Sequence, residues 1–149
     1  MNFDRIKYIR EEKELTQSEM ANILNVTRSA YSLWELKKNI IPLPKLNEFC
    51  NIFSLSLDYV VNSSNKQNKN LNYKQLDIKE IGKRLKQVRK ELKLTQEKLA
   101  EKFNTTHSAI SAYENGITLI PTIFLIEFSK ISNVSLDWFC GKTDNKRIQ

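Results

Sequence analysis

An internal repeat constrains this chain more than any other feature of its sequence. The tripeptide LTQ stands at 15–17 and again at 94–96, an offset of 79 residues. At the same offset, NVTRSAYSLWE (25–35) aligns with NTTHSAISAYE (104–114), and an Ile-Pro pair and a Ser-Leu-Asp triplet also recur. Because all these matches share one ungapped register, the sequence predicts two copies of one fold.

The spacing of the repeat predicts two domains and a connection. The copies are expected at 1–62 and 78–142, and domains of about 60 residues can fold alone when they are helical. Residues 63–77 between them are rich in Asn, Lys and Gln and poor in residues that build a core, which predicts a polar linker. Residues 143–149 are expected to form a short basic tail.

Each copy is predicted to form five short helices, because glycine and proline are few and apolar residues recur at helical spacing. The first helix is expected from about Phe3 to Glu14. The second begins at Thr16, which forms a capping box with Glu19. The later helices are expected to begin at Thr27, near Pro42 and at Ser56. The side chains expected in the core are Ile6, Ile9, Met20, Ile23, Leu24, Leu46, Phe49 and Ile52. The second copy follows the same plan, with Leu125, Phe128 and Ile131 at the matching core positions of its fourth helix, except that Lys98 follows Thr95 where a capping box needs an acid or amide.

The turn between the second and third helices is predicted to be short. Asn25 tolerates the left-handed conformation that a tight turn needs. Ala21 and Ala100 fall where the two helices would cross, and their small size lets the backbones approach. A steep crossing over a short turn is the helix-turn-helix arrangement. In the third helix, Tyr31 and Trp34 are expected to be buried, which leaves a second face of Arg28, Ser29, Ser32 and Leu33.

Charge indicates a polyanionic partner such as nucleic acid, or else plain solubility, since the net charge is +7. Residues 3–62 hold eight basic and eight acidic side chains, whereas 79–142 hold eleven basic and seven acidic ones. In the second copy the basic residues crowd the first helix, and 104–120 contains no Lys or Arg.

Other classes of protein lack support in the sequence. Cys50 and Cys140 are too few for a disulfide framework, so both are expected to be reduced core residues of a cytosolic protein. The longest apolar run, at 117–128, is too short to span a bilayer, and the first residues do not read as a signal peptide. With one histidine and no phosphate-binding glycine loop or nucleophile with its base, neither an enzyme nor a metal or cofactor site is expected.

Both copies resemble the lambda repressor and Cro-like helix-turn-helix domains, also called the XRE family. The resemblance is carried by LTQSEMANILNVTRSAYSLWE, by LTQEKLAEKFNTTHSAISAYENG, and by the endings SLDYVVN and SLDWFCG. It implies an all-α fold of two tandem five-helix lambda-repressor-like domains joined by the polar linker. It also implies a cytoplasmic, bacterial or phage transcriptional regulator, a repressor, that binds a double-stranded DNA operator.

The family's functional positions can be transferred to this sequence. Gln17 and Gln96 match a glutamine that hydrogen-bonds a DNA phosphate. Arg28 could bind guanine O6 and N7, and Leu33 could contact a thymine methyl group. The residues expected on DNA are Gln17, Thr27, Arg28, Ser29, Ser32, Leu33, Lys37, Lys38, Gln96, Thr106, His107, Ser108 and Ser111. The alternative for the glutamines, Arg28 and His107 is an exposed side chain without a ligand.

The resemblance also implies two ion pairs with a structural role, Arg10 with Glu35 and Arg89 with Glu114. Each pair would tie the first helix of its copy to the end of the third helix. Removing one partner of such a partly buried pair should destabilise the fold.

The fourth helix of the second copy is more apolar than one buried face requires. Ile123, Phe124 and Ile126 are the surplus residues, and they predict an interface or a wider core contact. Two versions of the function follow. In the first version, both domains of one chain read DNA half-sites. In the second, the first domain reads DNA and the second forms a homodimer through these residues. The distribution of charge and of apolar residues favours the second version. The remaining alternative is a regulator or antitoxin-like module that binds a protein through this scaffold. A protein or small-molecule effector is compatible with each of these interpretations.

Overall fold

A computed structural model describes residues 4–67 and 70–149. The described residues form ten α-helices and no strand. They divide into two compact units on either side of residues 68 and 69. We call 4–67 domain 1 and 70–148 domain 2. The predicted all-α class, with five helices in each copy, is confirmed. Within the described ranges, no helix has the length and apolar character needed to cross a membrane.

The helices have the following bounds. Domain 1 contains α1 (Asp4–Glu12), α2 (Gln17–Ile23), α3 (Arg28–Glu35), α4 (Leu43–Ile52) and α5 (Leu57–Val60). Domain 2 contains α6 (Ile78–Glu91), α7 (Gln96–Phe103), α8 (His107–Glu114), α9 (Thr122–Ser132) and α10 (Leu136–Phe139). The predicted start of α1 at Phe3 lies outside the described residues.

The predicted N-caps fix where the helices begin. Thr16 accepts a hydrogen bond from the Glu19 backbone at 3.0 Å, and the Glu19 carboxylate accepts one from the Thr16 backbone at 3.0 Å. This capping box is confirmed. The Thr95 side chain accepts the corresponding backbone bond, from Lys98 N at 3.1 Å, but the Lys98 side chain accepts none in return. The two copies therefore share the position of the cap but not its strength.

Each domain has a core built from one face of every helix. In domain 1, Tyr31 and Trp34 are buried and their rings meet edge to face, with centroids 5.9 Å apart. In domain 2, Phe128 contacts Phe103 at 5.9 Å and Phe139 at 5.4 Å between centroids. These aromatic contacts join α7, α9 and α10 around one centre.

Three residues predicted to be buried are exposed. Ile23 is 42% exposed, Ile52 43% and Ile131 46%. At about 100° per residue, Ile23 lies some 110° from the centre of the face formed by Met20, Ala21 and Leu24. Ile52 is displaced further, by about 150° from the centre of the buried face of α4. Ile131 occupies the position of Ile52 in the second copy, so both copies show the same error. The prediction was wrong because these residues stand at the ends of short helices, where the spacing rule admits residues beyond the core face.

The segment predicted as a linker makes contacts at both ends. In domain 1, the backbone N–H of Ser56 donates to Gln67 Oε1 at 3.2 Å. In domain 2, Asn72 N donates to Lys142 O at 2.8 Å. The predicted tail also packs on domain 2, where Ser135 N donates to Lys146 O at 2.8 Å. Much of the linker and the tail therefore belongs to the surfaces of the two domains.

Candidate nucleic-acid interface

The turn between α2 and α3 has the same geometry in both domains. Asn25 has φ +56° and Asn104 has φ +54°, both in the left-handed region. The chain then closes with a backbone hydrogen bond of 2.9 Å, from Val26 to Ala21 in domain 1 and from Thr105 to Ala100 in domain 2. Thr27 and Thr106 next cap α3 and α8, each accepting a bond of 3.1 Å from the backbone three residues on. Two helix-turn-helix units result, with α3 and α8 as the second helix.

The outer face of α3 consists of the four residues predicted for it. With Tyr31 and Trp34 buried beneath, Arg28 and Ser29 are exposed and Ser32 and Leu33 are half-buried. The four side chains line one shallow, open concavity. The concavity combines a guanidinium group, two hydroxyl groups and an aliphatic surface, which together can read donors, acceptors and a methyl group on base edges.

The loop after α3 carries the two predicted lysines, and they differ in their surroundings. Lys37 has φ +62°, and its Nζ lies 2.8 Å from Asp4 Oδ1 at the start of α1. Lys38 is exposed beside it. The sequence did not indicate the Asp4 contact, which joins residues more than thirty positions apart. Lys38 is therefore the more available of the two cations.

Glu35 is the centre of a hydrogen-bond network at the end of α3. Arg10 donates to its carboxylate from Nε at 2.6 Å and from Nη2 at 3.2 Å, which confirms the predicted pair. Gln17 Nε2 donates to Glu35 Oε2 at 2.8 Å, and the Tyr31 hydroxyl donates to Oε1 at 3.2 Å. The bond to Glu35 raises the pKa of Arg10, and burial raises the pKa of Tyr31. The network fixes α1, α2 and α3 relative to one another.

Domain 2 repeats the arginine and glutamine bonds of this network around Glu114, with Ile110 at the position of Tyr31. Arg89 donates from Nε at 2.5 Å and from Nη2 at 3.0 Å, which confirms the second predicted pair. Gln96 Nε2 donates to Glu114 Oε1 at 3.0 Å. Both glutamines predicted to bind phosphate thus hold an internal carboxylate as well. Their contact with DNA phosphate stays a prediction. In each domain the buried glutamate fixes the orientation of the glutamine side-chain amide.

The outer face of α8 is less suited to a polyanion than that of α3. His107 stands where domain 1 has Arg28, and its Nε2 lies 3.8 Å from Oε1 of Glu97, a carboxylate that occupies the position of Ser18. Ser108 is exposed, while Ser111 is half-buried and accepts a hydrogen bond from Asn115 at 3.2 Å. The two faces therefore share a scaffold but not a charge.

The three residues predicted to form an interface on α9 differ in their exposure to solvent. Ile126 is 3% exposed, as is its counterpart Asn47, so a surface role for Ile126 is wrong. The Phe124 ring stacks on Phe103 at 5.3 Å with the planes 6° apart. Ile123 and Phe124 remain half-buried. Part of the surplus apolar character of α9 therefore serves the core of domain 2.

One contact that recurs in both domains was not predicted from the sequence: an arginine of the first helix binds the last helix of the same domain. Arg5 Nη1 donates to Tyr59 O at 2.5 Å and its guanidinium lies 4.1 Å from the centre of the Tyr59 ring. In domain 2, Arg84 Nη1 donates to Trp138 O at 2.6 Å and lies 4.7 Å from that ring. The 79-residue offset links Arg5 with Arg84, so the repeat itself was the signal that could have revealed this contact.

Comparison with known proteins gives one result for both domains. The helix-turn-helix family profile matches residues 6–60 and 85–139. The chain is 38% identical over 64 residues to the HTH-type transcriptional regulator ImmR of Bacillus subtilis (strain 168), covering 43% of this chain and 50% of ImmR. It is 39% identical over 62 residues to YobD of the same organism, an uncharacterized HTH-type transcriptional regulator, covering 42% of this chain and 55% of YobD.

The chain spans about half the length of the curated relatives it matches and has no match among solved structures. Each profile match lies within one of the two units of the fold and contains the capped turn and the arginine–glutamate pair described above. The chain therefore belongs to the helix-turn-helix family and carries two copies of its domain in tandem.

Proposed function

We propose that this protein is a cytoplasmic, sequence-specific double-stranded DNA-binding regulator of transcription. Domain 1 reads the major groove with α3, and occupation of an operator represses transcription. The observation that carries the proposal is the concavity of Arg28, Ser29, Ser32 and Leu33 on the outer face of a helix held from below by two buried aromatic rings. The family membership and the transcriptional regulators among its relatives support the same function.

The backbone contacts of this proposal come from the residues around α3. Gln17, at the first turn of α2, would hydrogen-bond a phosphate while its amide remains oriented by Glu35. Thr27 and Lys38 lie at the two ends of α3, one at its cap and one in the loop that follows. Such contacts position a protein on DNA, and base contacts specify the sequence.

Selection of binding sites from a random DNA pool tests the proposal, with Arg28→Ala and Arg28→Lys compared to the wild-type chain. Arg28→Ala should cost about 1–3 kcal/mol on the selected operator and relax the choice at one base pair. Arg28→Lys retains the charge without the two-pronged geometry, so it should lose specificity while keeping most non-specific affinity. Equal weakening on all sequences would instead make Arg28 a phosphate contact.

A protein-binding role on this scaffold is the competing function, and the neutral charge of the first copy is compatible with it. The salt dependence of binding to duplex DNA separates the two functions, since contacts with DNA phosphates release counterions and make the affinity fall steeply with salt concentration. A chain that shows no salt-dependent binding to duplex DNA would be assigned to the protein-binding class.

Homodimerisation is a second element of the proposal. Its support is that Ile123 and Phe124 stay half-buried on α9 after the core is formed. Sedimentation equilibrium at micromolar concentration distinguishes a dimer from the 17.5 kDa monomer. If a dimer forms through α9, Ile123→Lys should dissociate it. A wild-type monomer that still binds DNA tightly would remove this element of the proposal.

A further inference from the structure

A stripe of lysines runs along α6 and is not explained by the fold of domain 2. Lys79, Lys83, Lys86 and Lys90 are separated by four, three and four residues, so they lie on one side of the helix over about 16 Å. All four are exposed. Among the ion pairs of the described residues, none includes any of the four. We call these four residues the α6 stripe.

The α6 stripe lies on the flank of the helix that borders α8. Gly82 is about 70° around the helix from the centre of the stripe. It lies so close to α8 that an added Cβ would be 2.6 Å from the carbonyl oxygens of Tyr113 and Glu114. An added Cβ at Gly116, in the loop after α8, would lie 2.9 Å from the Lys79 Cα. The stripe therefore begins beside the end of the helix-turn-helix unit.

The other flank of α6 is already occupied within domain 2. Arg84 donates to Trp138 O at 2.6 Å, and Glu91 accepts from Lys146 at 2.7 Å. These two residues lie about 110–130° around the helix from the centre of the stripe. The contacts of Arg84 and Glu91 within domain 2 thus lie on a different side of α6 from the stripe lysines. The side that carries the stripe remains accessible to a ligand.

The stripe is a property of domain 2 alone. The residues at the equivalent positions of α1 are Asp4, Lys7 and Glu11, so domain 1 has mixed charge there. Conversely, domain 2 has no Lys or Arg in 104–120, where domain 1 carries Arg28, Lys37 and Lys38. The basic residues that distinguish the two copies therefore lie on and after α3 in domain 1 and along α6 in domain 2.

We propose that the α6 stripe binds the phosphate backbone of duplex DNA without regard to sequence. This inference rests on the function proposed above and gives domain 2 a part in it: domain 1 selects the site, and domain 2 adds backbone affinity. A straight row of ammonium groups, one for each helical turn, is complementary to a regular line of phosphates. An anionic membrane is less suitable, because the apolar side of α6, with Ile81, Leu85 and Val88, is buried in the core and cannot enter a bilayer.

The test compares two triple variants of the full chain with equal loss of charge. Lys83→Gln/Lys86→Gln/Lys90→Gln removes most of the stripe, and glutamine has nearly the helix propensity of lysine. The matched control changes three exposed lysines elsewhere, Lys66→Gln/Lys102→Gln/Lys130→Gln. Affinity for a random-sequence 20-base-pair duplex and for the selected operator is measured as a function of salt concentration.

The stripe variant should lower the slope of log affinity against log salt by about 2 to 3, since each lost phosphate contact contributes about 0.9. The control should change it by less than about 1. The ratio of operator to random-duplex affinity should stay within about twofold of wild type, because backbone contacts carry no sequence information. Equal slopes for the stripe variant and the wild type would overturn the inference and leave readout by domain 1 intact. A wild-type chain without preference for any sequence would overturn the readout by domain 1, whatever the slopes.

Discussion

The buried carboxylates of Glu35 and Glu114 organise the two domains at the scale of single residues. Each accepts two hydrogen bonds from an arginine and one from a glutamine. The Glu114 side chain is only 2% exposed, so its charge depends on these donors for compensation. A charge removed from water is tolerated only when its partners remain in place.

We predict that Arg89→Leu destabilises domain 2 by about 3 to 5 kcal/mol, because it leaves Glu114 buried without its cation. The double variant Arg89→Leu/Glu114→Leu should recover a large part of that loss, since no charge is then buried. Urea unfolding followed by Trp138 fluorescence measures both, in a Trp34→Phe background that confines the signal to domain 2. Equal destabilisation in the single and double variants would show that packing, and not charge compensation, holds this region together.

The arginine–glutamate pairs could be predicted from the sequence, whereas the glutamines in the same networks could not. Arg10, Glu35 and their counterparts recur at the repeat offset and match the family pattern. Gln17 was assigned to phosphate, and nothing in the sequence indicated that its amide also reaches Glu35, eighteen positions away. A hydrogen bond between residues on different helices leaves no periodic signal, so only the packed structure reveals it.

At the scale of the elements, the helix caps determine where α2 and α7 begin. Both helices have a threonine as their N-cap, but only α2 has the reciprocal bond that completes a capping box. The backbone N–H of Thr95 therefore lacks the carboxylate that its counterpart has in domain 1.

We expect Thr95→Ala to destabilise domain 2 by about 1 kcal/mol, because the N–H of Lys98 loses its acceptor. Lys98→Gln should have the opposite effect, a gain of about 0.3 to 0.5 kcal/mol, since glutamine can complete the box. The control is Thr118→Ala, at an exposed threonine that caps no helix, which should change stability by less than about 0.5 kcal/mol. The measurement is again urea unfolding detected at Trp138. If Lys98→Gln gave no gain in stability, the backbone N–H of Thr95 would already be hydrogen-bonded to solvent.

The capping box of α2 predicts a dependence of stability on pH. The hydrogen bond from the Thr16 backbone lowers the pKa of Glu19 below its ordinary value of 4.5. A carboxyl group whose pKa is lower in the folded state stabilises that state above the unfolded pKa, and the contribution is lost as the pH falls through the folded pKa. Wild type should therefore exceed Glu19→Ala in unfolding free energy at pH 7, and the difference should shrink as the pH falls below 4.5. A difference that is constant with pH would contradict a role for the ionised carboxylate.

Helix boundaries and caps were predicted well from the sequence, but the burial of residues at helix ends was not. Thr16, Thr27 and Asn25 have the predicted roles, because capping and left-handed turns depend on local chemistry. Ile23 and Ile52 were placed in the core by spacing alone and are exposed. In a helix of seven to ten residues, a displacement of more than about 100° from the centre of the core face turns a side chain towards solvent.

At the scale of the whole molecule, the two copies keep one scaffold and differ in the chemistry of their surfaces. The turn, the caps and the carboxylate network recur in both domains. By contrast, Arg28 becomes His107. Domain 2 carries the α6 stripe, whereas its loop after α8 lacks the lysines that follow α3 in domain 1. Because the scaffold sets the fold and the exposed residues set the ligand, a repeated fold does not require a repeated function.

The exchange of Arg28 for His107 leads to the last prediction, that the two domains contribute unequally to sequence preference. His107→Ala should leave the selected operator unchanged and alter affinity by less than about threefold, because an imidazole 3.8 Å from the Glu97 carboxylate lacks the two parallel donors with which a guanidinium binds guanine O6 and N7. Arg28→Ala at the equivalent position of domain 1 is the matched comparison and should lose the preference at one base pair. The measurement is site selection with each variant, followed by titration of the operator at two salt concentrations. If His107→Ala removed a second, separate set of preferred base pairs, domain 2 would be a reader of sequence in its own right, and the operator would contain two different half-sites.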